Sequence, residues 1–153
     1  MVGLELRIPP VVVMVAVAGI MGLVATLAPA LSFVVPGAAV VTSLLVAAGV
    51  VLALLGLVAF YRASTTVDPA HPGGASSLVT GGIYRVSRNP MYLGMLLLLL
   101  GWAVWLAHPF SFLVLPLFVV YLNRFQIKPE ERTLHEKFGE AFVTYARAVR
   151  RWL

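Results

Sequence analysis

The 153-residue sequence predicts an all-α polytopic membrane protein: four transmembrane helices followed by a cytoplasmic amphipathic C-terminal helix. Three observations lead there. Hydrophobic residues make up 61% of the chain and charged residues only 11%, where a soluble domain carries about 25% charged residues. The apolar residues gather into long runs, and about 20 consecutive apolar residues cross a bilayer as a helix. Finally, every Lys, Arg, Asp and Glu falls in one of three segments that an even number of crossings puts on the same face.

The runs define the elements in order. The first span covers residues 8–35, with Pro9 and Pro10 suited to a helix start and Pro29 and Pro36 marking its exit. The second, residues 38–61, contains no charge. The third, residues 90–107, has Pro90 in its first turn. The fourth, residues 110–125, is short and interrupted by Pro116. The links at residues 32–37 and around His108 and Pro109 carry no Lys, Arg, Asp or Glu. The charges lie at Glu5 and Arg7, in the loop of residues 62–89, and after Asn123. The positive-inside rule makes that face, and with it both termini, cytoplasmic. A competing reading takes Arg7, the first run and Ala28-Pro29-Ala30 as a cleaved secretory signal. That run is longer than the roughly 7–15 apolar residues of such a segment, so it is read as a retained span. The chain is read as one membrane-embedded domain, residues 1–153.

Composition excludes several chemistries. With no cysteine there is no disulfide, thiolate metal site or cysteine nucleophile. His71, His108 and His135 lack metal-ligand spacing, so no metal is expected, and His108 reads as a loop residue on the far side. The net charge of +5 fits inside-facing loops and anionic lipid head groups better than nucleic acid.

The polar chemistry gathers in two cytoplasmic segments. In the loop, Thr65 to Pro69 and His71 to Gly74 read as turns. Ser76-Ser77 and Thr80-Gly81-Gly82 offer backbone amides without bulky side chains. The tail reads as one helix over residues 129–150. Leu134, Phe138, Ala141, Phe142, Tyr145, Val149 and Trp152 form its apolar stripe. Glu130 and Glu131 occupy its first turn, and Arg147, Arg150 and Arg151 lie at its end, both favourable to the helix dipole.

Each candidate residue has a functional and a plain reading. Arg85 and Arg88 are anion ligands, or topology determinants touching lipid head groups. Tyr84 and Tyr92 stack on or hydrogen-bond a ligand, or form an interfacial aromatic belt. Asn89-Pro90 is a helix N-cap step, which is compatible with anion binding. Glu130 and Glu131 bind a cationic or hydroxyl-bearing ligand, or only complement the dipole. Arg124 is a site residue, or a snorkelling anchor where the fourth span leaves the membrane. Met91 and Met95 are packing residues, or line an apolar channel. The helical hairpin returns the chain to the same face, so loop and tail can close one pocket there.

These blocks resemble the isoprenylcysteine carboxyl methyltransferase and phospholipid methyltransferase superfamily of integral membrane enzymes. The likeness runs through Leu78-Val79-Thr80, Gly82-Ile83-Tyr84 and Arg88-Asn89-Pro90-Met91-Tyr92-Leu93-Gly94. It resumes at Glu130-Glu131, Leu134, Phe138-Gly139, Tyr145 and Val149 to Trp152. Ile83 and Arg150 stand where the family usually has Pro, Asn89 where many members have His, and Phe142 where Tyr is common. The His-to-Asn change removes a titratable group. The resemblance implies S-adenosylmethionine as cofactor, bound by Arg88, Asn89, Pro90, Tyr92, Glu130 and Glu131, with Gly82 and Tyr84 shaping the wall. No Gly-x-Gly-x-x-Gly is present, which excludes a soluble Rossmann methyltransferase.

An anionic acceptor, the carboxylate or thiol of an isoprenylcysteine-like molecule, needs a cation to place it, and Arg124 and Arg85 are the candidates. An amine acceptor, as in phospholipid N-methylation, must lose a proton, and the spans hold no Asp, Glu or Lys. The expected partners are therefore a lipophilic or small methyl acceptor and membrane lipids. A related membrane reductase and a non-enzymatic scaffold remain as alternatives. A transporter is disfavoured by spans almost empty of ionisable groups.

Overall fold

A computed structural model describes residues 5–63, 72–74 and 76–153, and the described residues form helices and no strand. The turns expected from Thr65 to Pro69 and at His71 lie outside them. Proline sets three helix starts: α1 (Pro10–Leu27), α3 (Pro90–Leu106) and α4 (Pro109–Leu122) all open on it, where the missing N–H is no loss. The second helix, α2 (Ala38–Arg62), starts after Gly37. The first run was expected to stay helical to residue 35. Instead α1 ends at Leu27 and a single 3-10 turn, Pro29–Leu31, follows, because the residue before a proline is driven out of helical geometry.

The centre of the molecule is α3, which packs against α1, α2 and α4. Glycine lets α2 and α3 touch backbone to backbone. A Cβ on Gly94 would stand 2.6 Å from the Gly49 carbonyl oxygen, and a Cβ on Gly49 would stand 2.8 Å from that of Gly94. Such small-residue contacts are how helices associate where lipid is as apolar as leucine. On its other side α3 meets the shared core of Met21, Leu99, Ala103, Phe118, Leu122 and Ile127. Outward faces of α1 and α2 stay apolar and exposed, as at Val15, Leu23, Leu44 and Leu54, which marks a membrane-facing surface. Three helices are long and apolar enough to cross a membrane: Pro10–Leu27, Ala38–Arg62 and the continuous run Pro109–Phe138. Pro90–Leu106 is a shorter apolar helix.

Two further sequence expectations are corrected, and one is met with a difference in burial. His108 is the loop residue expected. Only Ala107 and His108 join α3 to α4, so the tight connection folds His108 inward, where it is 1% exposed. The fourth span and the tail helix are not separated at residues 125–129. Helix α4 widens into a π turn, Asn123–Ile127, and passes straight into α5 (Lys128–Phe138). The cause is Pro129, which has no N–H to give the Phe125 carbonyl four residues back. The backbone steps by five instead, with the Lys128 N–H on the Asn123 carbonyl. Lastly, the tail is two helices and not one. Gly139, at φ 53°, ends α5 and opens α6 (Glu140–Ala148), a conformation that suits glycine.

Candidate functional site

The third helix, α5, the loop and the tail bring most of the candidate residues together in two adjoining groups. In the first, the Tyr92 hydroxyl on α3 donates to Glu130 Oε1 at 2.5 Å. Gln126 Nε2, one turn before Glu130 on the π turn, donates to the same oxygen at 2.7 Å. Glu130 thus has neutral partners in a desolvated place. Burial pushes its carboxyl up to about 7, and the neighbouring Glu131 adds to this. The two hydrogen bonds pull the other way. Glu130 lies in α5, the charged end of the run, beyond the apolar helix α4.

In the second group, Glu131 lies between two guanidiniums. Arg151 grips it twice, with Nε on Oε1 at 3.1 Å and Nη2 on Oε2 at 2.6 Å. Arg88 Nη2 stands 3.2 Å from Oε1. The Arg88 side chain is only 14% exposed, and its Nε is buried with no hydrogen-bond partner. A buried guanidinium N–H left open is costly unless an acceptor arrives. Adjacent carboxyl groups are therefore treated oppositely, one by neutral donors and one by cations.

The tail is stitched to the loop beneath these groups. Arg88 N–H donates to the Arg150 carbonyl at 3.0 Å. Asn89 Nδ2 donates to the Arg151 carbonyl at 2.9 Å. Trp152 Nε1 reaches Asn123 Oδ1 at 3.1 Å. The Tyr145 hydroxyl on α6 donates to the Tyr84 carbonyl at 2.8 Å. Tyr84 itself is buried with its ring edge-on to Phe60, and burial raises its hydroxyl pKa. Burial also raises that of Tyr145, to about 12. Asn89 therefore spends its amide on the tail, and Pro90, fully buried, starts α3.

Three expected residues stand apart from these groups. Gly82 borders a cleft of about 360 Å³ between the end of α2 and residues 78–83, with Leu55, Val58 and Arg62. Arg85 is exposed. Arg124 has a 62% exposed side chain, stacks on Phe125 and faces Glu5 at 3.5 Å. Sequence reasoning missed Gln126 and Arg151 as site residues. Gln126 stands four residues before Glu130, a spacing that makes helical neighbours. Arg151 lies inside the second matching block but was read only as a dipole partner.

A sequence model of the family described as phospholipid methyltransferase matches residues 37–141. The chain belongs to that family. Its match takes in α2, α3, α4, α5 and both carboxylates of the site. Among relatives, a probable protein-S-isoprenylcysteine O-methyltransferase of Oryza sativa subsp. indica is 35% identical over 104 residues, 66% of this chain and 53% of that protein. Protein-S-isoprenylcysteine O-methyltransferase B of Arabidopsis thaliana is 39% identical over 75 residues, 47% of this chain and 36% of that protein. An uncharacterized protein of Haemophilus influenzae is 44% identical over 63 residues, 41% of this chain and all of that protein. The chain spans about half the length of the rice relative and less of the Arabidopsis one. No solved structure matches.

Proposed function

We propose that this family member is an S-adenosylmethionine-dependent methyltransferase with four membrane-crossing helices and its site on the cytoplasmic face. The acceptor proposed is the carboxylate of an isoprenylcysteine-like lipid, or failing that the thiol of a small unprenylated molecule. The observation that carries the reading is the paired site on α3, α5, loop and tail, with Arg88 Nε buried and open. The cofactor has a carboxylate, an ammonium and hydroxyls, and the residues fit them. Arg88 has a free donor for a carboxylate, Glu131 and Glu130 offer acceptors for an ammonium or hydroxyls, and Tyr92 supplies a hydroxyl at the same place.

Once bound, the cofactor supplies a methyl group on a sulfonium, so the protein has to orient and desolvate. Orientation supplies several kcal/mol, up to about 7–11 in ideal cases. Here the hydrogen bonds between loop and tail fix the position of Arg88 against Glu131, and Tyr84 lies buried beside them. Arg85, exposed three residues ahead of Arg88, is the cation proposed to meet the acceptor's anion. Arg124 is already engaged by Glu5.

A second reading, N-methylation of a phospholipid amine, is favoured by one observation. Glu130 lies near the midpoint of its titration at neutral pH, so it can take the proton an amine must lose. Transfer of labelled methyl from S-adenosylmethionine to lipids in vesicles tests both. A prenylated cysteine methyl ester as product supports the first reading. Methylated phosphatidylethanolamine, with a rate rising through pH 7, supports the second. Label in neither, from protein that binds the cofactor, contradicts both acceptor classes.

A further inference from the structure

The residues ahead of α1 touch the helix that carries Glu130. The Leu6 N–H donates to the Phe125 carbonyl at 3.0 Å. That carbonyl is the one Pro129 cannot serve, so Leu6 fills a vacancy the sequence creates. Leu6 does this at φ 58°, a left-handed conformation that a branched aliphatic residue rarely adopts. One residue earlier, Glu5 bridges two arginines. Its Oε2 accepts from Arg132 Nη2 at 2.7 Å and its Oε1 stands 3.5 Å from Arg124 Nη1. Arg124 is on the π turn and Arg132 on the first turns of α5, so the bridge spans the whole irregular stretch. The outward side of that stretch carries Arg124 and Arg132. Its buried side carries Gln126 and Ile127, and Gln126 reaches Glu130.

We propose that Glu5 and Leu6 form a positioning strap for the site: they clamp the π turn from outside and so hold Gln126 and Glu130 in register with Tyr92. The proposal rests on the methyltransferase reading for its binding readout, and it assigns Arg124 to the strap. A π turn has fewer tight backbone constraints than an α-helix and occurs mostly as single turns at functional sites. If it relaxes to another hydrogen-bond step, every following side chain rotates about the helix axis. Glu130 and Glu131 are the first site residues downstream. The ion pairs are partly exposed, so they add little to global stability. Their effect is on which geometry the turn keeps.

The test uses the 153-residue chain in detergent carrying Glu5→Gln, Glu5→Asp, Leu6→Pro or the swap Glu5→Arg with Arg124→Glu and Arg132→Glu. Leu6→Pro removes the donor and cannot hold the observed φ. Two quantities are read: calorimetric affinity for S-adenosylhomocysteine, and hydrogen exchange of residues 123–131, which needs no cofactor. Glu5→Gln and Leu6→Pro are expected to weaken binding on the order of fivefold and to speed exchange in that segment. Their melting temperature should stay within about 2 °C of the parent. Glu5→Asp and the swap recover both quantities. Unchanged affinity and unchanged exchange in Glu5→Gln and Leu6→Pro overturn the proposal. So does a loss that neither Glu5→Asp nor the swap recovers. If the parent protein does not bind S-adenosylhomocysteine, the methyltransferase reading falls, and exchange alone decides the strap: faster exchange supports it and unchanged exchange overturns it.

Discussion

At the residue scale, the pair Glu130 and Glu131 makes the most specific claim. Glu130 is raised from 4.5 to about 7. Below about pH 4.5 the folded and unfolded chains both hold the proton. Between there and about pH 7 the unfolded chain releases it while the folded chain keeps it. The stabilising contribution is therefore full below about 4.5 and is lost as pH rises through 7, a change on the order of 3 kcal/mol. Thermal melts in detergent across pH 4.5–8 should show Glu130→Gln losing less stability than the parent over that window. Tyr92→Phe removes a donor that holds the carboxyl down, so its transition should move to higher pH. Both carboxylates were visible in the sequence as a Glu pair opening a helix. Their opposite surroundings were not, because Gln126 and Arg151 reach them only through the π turn and the folded-back tail.

At the element scale, the helices were largely legible. Proline announces the starts of α1, α3 and α4, and hydropathy bounds α2 to within a residue. The π turn was not legible, because hydropathy does not register a change of backbone step and Pro129 also suits a helix start. The break at Gly139 was signalled: His135 and Lys137 precede a glycine, a common C-terminal pattern. The apolar stripe hides it by continuing across it, with Phe138 half-buried and Phe142 buried. The contact of α2 with α3 gives a test. A Cβ at residue 94 meets backbone and not a side chain that can move. Gly94→Ala should cost about 1–3 kcal/mol, read as a lower melting temperature. Gly19→Ala, inside α1 where nothing lies within 4 Å, should not lower it and should raise it slightly through helix propensity.

At the scale of the whole molecule, charge and topology make a single prediction. The N-terminal segment, the loop and the chain after Asn123 hold every Lys, Arg, Asp and Glu, and the short links at the other end hold none of these. We propose that the charged end faces the cytoplasm. Because the chain lacks cysteine, single cysteines report cleanly. In intact cells, Ser32→Cys should react with an impermeant maleimide and Glu140→Cys only after lysis. The reverse pattern would invert the orientation.

The central claim is that Arg88 and Glu131 belong to a binding site for S-adenosylmethionine. The most direct measurement is calorimetric binding of S-adenosylhomocysteine to purified protein beside Arg88→Ala and Glu131→Ala. The account predicts binding in the parent protein, weakened at least about tenfold in each variant. Folded parent protein that does not bind, or variants that bind as tightly as the parent, would contradict it.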